Sequence, residues 1–177
     1  MLPRLLAQFS QAHPEVKLVL HHGRTPSQVP ALRQGRVLLV FERMLPRESD
    51  IEIELVAREP VWVALHRQHR LAAQESVDLD ELRDEPWIMP AAPGSQLVNV
   101  ALDLCRAHGF EPRVVQEVGE VTTGVVLVAC GMGTAIVPAS MRALAMPNVV
   151  FRPLTARGDA LMDLPCYYLK DERSPLL

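Results

Sequence analysis

The sequence carries no excess of positive charge. Its 177 residues hold 18 Lys and Arg against 21 Asp and Glu, a net charge of −3. This composition does not grip a nucleic-acid backbone, because such binding depends on Lys and Arg neutralising phosphates. No apolar run approaches the roughly 20 residues of a membrane span, and no membrane association is expected. No signal peptide is visible, since Arg4 and Gln8 interrupt the first apolar residues. Cysteines are few and scattered: Cys105, Cys130 and Cys166 lie far apart inside apolar patterns. An odd count without short spacings fits buried thiols in a reducing, cytoplasmic compartment better than disulfides or zinc. Internal repeats and low-complexity segments are also missing.

Catalytic and metal-binding constellations are equally scarce. Gly131-Met132-Gly133 follows a helical pattern instead of opening one, so it reads as a helix stop and tight turn, not a dinucleotide fingerprint. His21 and His22 are adjacent and would face opposite sides of a strand. His66 and His69 have neither a nearby Cys nor an H-E-x-x-H helix. The acidic run Asp78, Asp80, Glu81, Asp84 and Glu85 lacks the turn glycine and alternating ligands of a calcium loop, and reads as a solvated face. Ser140 follows Pro-Ala without a nucleophile elbow. Nothing assembles into nucleophile, base and oxyanion donors, so no enzyme, metal or cofactor is expected.

What is present is an ordinary globular balance, 49% hydrophobic and 22% charged. Leu2, Leu5, Leu6 and Phe9 form a helical stripe closed by His13-Pro14. Val16, Leu18 and Leu20 alternate as a strand. A turn over 23–28 leads to a helix that starts either with Thr25 as cap and Pro26 at the first position, or irregularly and as late as Pro30; Gly35 ends it. Val37 to Phe41 is a continuous apolar run, as in a strand buried on both faces. Ile51, Ile53 and Leu55 alternate as a half-buried strand, and 61–65 is a further strand. Asp78 and Glu81 resemble a capping box. Strands follow at 87–89, 114–118, 135–137, 149–154 and 166–169, with a helix from Thr122 to Cys130 and a short one over 138–144. The alternation predicts an α/β fold with a largely parallel sheet, which binds ligands at the loops beyond the carboxyl ends of its strands.

The stretch from Pro93 to Phe110 carries the strongest local grammar. Leu97, Val100, Ala101, Leu104, Cys105 and His108 recur at helical spacing. Ser95 suits the N-cap, Gly109 the left-handed position after the helix, Phe110 the apolar position beyond it, and Pro112 blocks continuation. The free N–H groups at Ser95 suit an anion.

Several segments, in order, resemble one family: LPRLLAQFSQAHPEVKLVL, ALRQGRVLLVF, HRQHRLA, AHGFEPRVVQEV and LVACGMGTAIVPAS. Together they look like the effector-binding domain of LysR-type transcriptional regulators, across nearly the whole chain. The loop FERMLPR and the ending VPAS are similar to the branch that controls aromatic-compound catabolism. The resemblance implies two Rossmann-like subdomains of periplasmic-binding-protein type joined by crossover strands, residues 1–65 with 147–177 and residues 66–146. It also implies a small organic acid, an aromatic carboxylate or a muconate-like anion, held between them. Thr25 falls on a hydroxyl position that contacts the effector carboxylate. Ser95, Gln96 and Leu97 fall on the loop and helix start that close over the ligand, and Glu120, Val121 and Thr122 on the next helix start. Arg43 matches an arginine associated with a second effector site in one member, and reads equally as a surface salt-bridge residue.

Departures from the family pattern accompany the match. The winged helix-turn-helix, the linker helix, and the first strand with its serine loop are expected before Leu2 and are not in this sequence; a last helix would begin near Ser174. Leu38 stands where the family often has Asp, and Arg70 where it often has Pro. The resemblance implies side-by-side antiparallel pairing in a homodimer or homotetramer. DNA would be met only through the N-terminal domain, and RNA polymerase by the full-length protein. The rival reading is a periplasmic-type solute-binding protein for a small organic acid.

Overall fold

A computed structural model describes residues 2–174 except 22, 24, 43, 44, 92–94 and 159, and without the side chains of 2–4, 25 and 26. The chain divides into two compact units. One comprises 1–57 with 164–177, and the other is Arg58–Asp163. Residues 62–66 and 149–153 pair with each other inside the second unit.

The first unit contains helices α1 (Leu2–Ala12) and α2 (Thr25–Arg33), the short strand β1 (Val40–Phe41), the first part of β2 (Ile51–His66), and most of β8 (Leu161–Leu169). β1 runs antiparallel to β8, with Val40 opposite Tyr167, and β8 lies between β1 and β2 in strand order. Val29, Leu32, Val40, Ile51 and Tyr167 form the core of this unit.

Three expectations fail here. Residues 17–21 are not a strand: no ladder partner exists among the described residues, and Val19 and Leu20 stay 61% and 72% exposed. An alternating pattern makes a strand only when a neighbour takes its hydrogen bonds. The run 37–41 shortens to two paired residues and leaves Leu38 exposed. The two strands expected at 51–55 and 61–65 are one, and Ile53 and Leu55 on its alternate positions are exposed. The helix does start at Thr25, with Pro30 inside it.

The second unit adds β3 (Val77–Asp78), β4 (Pro86–Pro90), β5 (Arg113–Val118), β6 (Ala135–Pro138) and β7 (Val149–Thr155), with helices α3 (Gln96–Ala107) and α4 (Val121–Ala129). Its strands do not form one largely parallel sheet: β2, β3, β6 and β7 belong to a mixed sheet, and β4 and β5 pair in a separate two-stranded one. β2 pairs antiparallel with both β6 and β7, whereas β3–β7 and β4–β5 are parallel. The long β2 is the cause, because it feeds antiparallel neighbours on both sides. Thr134 joins β4 to the start of β6, donating to Pro86 O and accepting from Ile88 N–H, each at 2.8 Å.

The core of this unit gathers Val61, Val63, Leu65, Leu71, Leu79, Trp87 and Leu104, all fully or nearly buried. Trp87 also donates its indole N–H to Leu82 O at 3.0 Å, so its one polar atom is satisfied inside the core. The capping box forms: Asp78 accepts from Asp80 N–H, and Glu81 accepts from Asp78 N–H, at the head of a short 3₁₀ turn over Leu79–Leu82. At the head of the 3₁₀ turn over Ala139–Leu144 the cap position is Pro138, which has no side-chain acceptor. The buried Glu59 of β2 reaches across to accept from Ser140 N–H at 2.8 Å instead.

Candidate functional site

The second unit builds its candidate site at the carboxyl ends of β4 and β5. The two strands are parallel and end in register, Pro90 opposite Val118, with Ala91 N–H donating to Val118 O at 2.7 Å. The chain therefore leaves both strands at the same end of the sheet and enters α3 and α4 from there. This is the place where open α/β sheets present helix N-termini to ligands.

α3 follows its sequence signature closely. Ser95 is the N-cap with extended backbone, and its hydroxyl accepts from Val98 N–H at 3.4 Å. Leu97, Ala101, Leu104 and Cys105 are buried on one face. At the far end Phe110 N–H bonds Cys105 O and Gly109 N–H bonds Arg106 O, with Gly109 at φ +71°. This is the paired six-to-one and five-to-two closure that glycine allows. The N–H groups of Gln96 and Leu97 open the helix and have no intrahelical acceptor.

Gln96 has a second role. With its amide oriented to satisfy both ends, Nε2 donates to Asp163 O at 3.0 Å and Oε1 accepts from Asp163 N–H at 3.1 Å. The Asp163 carboxylate receives Arg58 Nε at 2.7 Å. Leu97 is 5% exposed and packs in the core, so its side chain serves the fold. Glu120 is the N-cap residue of α4 but makes no side-chain cap bond, and it is exposed beside exposed Thr122. Val121 is half-buried and lines a small apolar dimple, with room for no more than about one water, together with Ile88, Pro90, Val118, Gly124 and Ile136. Thr25 is the first residue of α2 in the other unit, and its side chain lies outside the described residues, as does all of Arg43. The structure thus groups Ser95, Gln96 and Leu97 at one helix start, and Glu120, Val121 and Thr122 at the next. Sequence reading missed Ile88, Pro90 and Val118, whose apolar character looks the same as that of any core strand.

One cluster could attract a metal: Asp78, Asp80 and His108 bring ligand atoms within 4.8 Å of one another. The hydrogen bonds argue against it. His108 is buried, and its Nε2 accepts from Arg157 N–H at 2.6 Å. The neutral ring must then keep its proton on Nδ1, which faces Asp80 Oδ2 at 3.1 Å and has no lone pair to give. The contact with His108 is the main cause of a lowered pKa at Asp80, and Arg83 adds to it. The site ties the end of α3 to its surroundings, with Arg83 donating to His108 O and lying over the Phe110 ring.

The thiols divide. Burial pushes Cys105 up to about 11 and raises Cys166. Cys130, which follows α4, is exposed, contrary to the expectation of three buried thiols. An apolar sequence pattern marks the helix but not which of its faces is covered, and position 130 falls on the open one.

Comparison with known proteins gives the family. The profile described as the LysR substrate binding domain matches residues 1–177. The chain is 32% identical over 157 residues to the HTH-type transcriptional regulator BenM of Acinetobacter baylyi, covering 87% of this chain and 52% of that protein. It is 28% identical over 177 residues to TcbR of a Pseudomonas species, covering 99% of this chain and 60% of that protein. Among solved structures, the BenM effector binding domain with its effector benzoate superposes at a TM-score of 0.83, with 31% identity, covering 99% of this chain and 80% of that one. The LysR family regulator CbnR gives 0.89 at 27% identity, covering 99% and 61%. The chain spans between about half and three-fifths of the length of the curated relatives named here. The matched structures share a mixed α/β effector-binding fold, and this chain belongs to the LysR substrate-binding domain family.

Proposed function

We propose that the chain is the effector sensor of a bacterial transcriptional regulator of the aromatic-catabolism branch. Its ligand is a small organic anion with an apolar body. The observation that carries this reading is the match over 99% of the chain to an effector-binding domain that holds benzoate. The site chemistry supports it. The opening N–H groups of α3 and the Ser95 hydroxyl suit a carboxylate. The apolar side chains of Val118 and Val121 beside those helix starts suit contact with the apolar body. Thr25, which opens α2, carries a hydroxyl suited to the same class of anion. Glu120 and Thr122 flank the ligand, and Arg43 serves a second site for the same class of anion.

The whole protein would be a cytoplasmic homo-oligomer that meets DNA through a domain outside this chain, as full-length CbnR is seen complexed with its target DNA. The relatives reported above are transcriptional regulators, not enzymes, in keeping with the lack of a catalytic constellation in the sequence.

A thermal-shift series with benzoate, cis,cis-muconate, catechol and an aliphatic acid tests the reading. At a hundredfold excess over Kd, the bound acid raises Tm by about 5 °C or more. Ser95→Ala and Thr25→Ala reduce that ligand-dependent increment, measured against each variant's own ligand-free Tm. A folded sample that no acid stabilises, or increments unchanged in both variants, overturns it.

A further inference from the structure

Two glutamines hold the same strand. In the first unit, Tyr167 of β8 donates its hydroxyl to Gln28 Oε1 at 2.6 Å. Gln28 lies in the first turn of α2, and its Nε2 donates to Gly23 O at 3.1 Å, closing the turn that leads into the helix. In the second unit, Gln96 opens α3 and takes both backbone groups of Asp163, also on β8, at 3.0 and 3.1 Å. A side-chain amide that occupies both polar groups of one residue imitates a neighbouring strand, and it fixes helix start against backbone at two points. Arg58 of β2 then holds the Asp163 carboxylate. Tyr167 is fully buried in its core, and burial pushes its phenol up to about 12, so it stays a donor at any ordinary pH.

Each contact lies inside its own unit, and the covalent backbone of β8 between Asp163 and Tyr167 joins them. Neither glutamine is free to serve a ligand with its side chain while these bonds stand. We propose that Gln28 and Gln96 are positioning residues that set the starts of α2 and α3 on the common strand β8. Order gained at one helix start, as on effector binding, is thereby felt at the other through that strand. The inference rests on the effector reading for its biological meaning, but its primary test needs no effector.

The test is residue-resolved hydrogen exchange on the whole 177-residue chain and on Gln96→Leu and Gln28→Leu. Gln96→Leu speeds exchange at the Asp163 amide and in the first turns of α3, and also at Val29 in α2, each by about tenfold. Gln28→Leu produces the reciprocal rise at Asp163, since coupling is symmetric for equilibrium openings. Gln96→Glu keeps the acceptor for Asp163 N–H and loses the donor, and falls between. Gly109→Ala, which weakens α3 at its other end, is the control for general loosening and leaves Val29 unchanged. Exchange changes confined to the substituted unit, or an equal rise at Val29 in the control, overturn the proposal. A benzoate titration is read separately: its failure would count against the effector reading, and the exchange result would still decide the coupling.

Discussion

Gly133 has no room for a side chain. A Cβ built there would stand 2.7 Å from the backbone oxygen of Pro86, which is itself held by Thr134 N–H and cannot yield. Gly109 is the opposite case: its φ of +71° is unfavourable for other residues, but the space around it is open. Alanine at Gly109 therefore costs about 1 kcal/mol of backbone strain. Alanine at Gly133 adds a clash and costs roughly 2 kcal/mol or more. Urea unfolding of the two variants ranks them, and an equal loss would show that the β4–β6 junction relaxes. The thiols give a second residue-scale expectation. In the native protein at pH 8, a thiol-exchange reagent modifies Cys130 rapidly and leaves Cys105 and Cys166 to react only on unfolding, because only Cys130 is exposed. The reactive form is the thiolate, and burial keeps Cys105 protonated.

At the scale of elements, the two helix starts of the second unit invite a comparison. Ser95 caps α3 with a hydrogen bond, whereas Glu120 precedes α4 without one. Ser95→Ala lowers ligand-free stability by about 1 kcal/mol, a fall in Tm of roughly 2–4 °C for a chain of this size. Glu120→Ala changes it by less than about 0.5 kcal/mol, as for other exposed substitutions that touch no special feature. Thermal unfolding monitored by circular dichroism separates the two. The same contrast explains what the sequence made legible. The whole of α3, from Ser95 to Phe110, is written in contacts five residues apart or fewer, and every part of its expected closure is found. The capping box at Asp78 is equally local and equally found. Strands depend on remote partners, and there the reading failed. Residues 17–21 have the pattern but no described partner, while 51–66 became one strand because neighbours pair along it. The bonds of Gln28 with Tyr167, Gln96 with Asp163 and Glu59 with Ser140 span between 67 and 139 residues, and no local signal announces them. The candidate site was readable where it consists of helix starts and unreadable where it consists of apolar strand ends.

At the scale of the whole molecule, charge makes stability depend on acid. The Arg33 hydrogen bond holds the Asp50 carboxyl below its ordinary 3.8, and the His108 contact does the same for Asp80. A carboxyl with a folded-state pKa below its unfolded value contributes stability that is present above pH 3.8 and is lost as pH falls through the folded value. Tm therefore declines from about pH 5 downward. Asp80→Asn lowers Tm at pH 7 and flattens that decline. A decline of the same steepness in Asp80→Asn would show that Asp80 is not among the groups responsible.

The order in which the units are written along the chain has its own consequence. Arg58–Asp163 is one uninterrupted stretch, while the other unit is split, its β8 residues coming only after 163. A polypeptide emerging from the ribosome completes the inner unit first, and domains fold as they are completed. The outer unit has Val29, Leu32, Val40 and Ile51 in hand early, but must wait more than a hundred residues for Tyr167 to fill its core. During translation that unfinished half is the part that a chaperone would be called upon to shield, and a premature stop after Asp163 would strand it while leaving helices α3 and α4 of the inner unit in place.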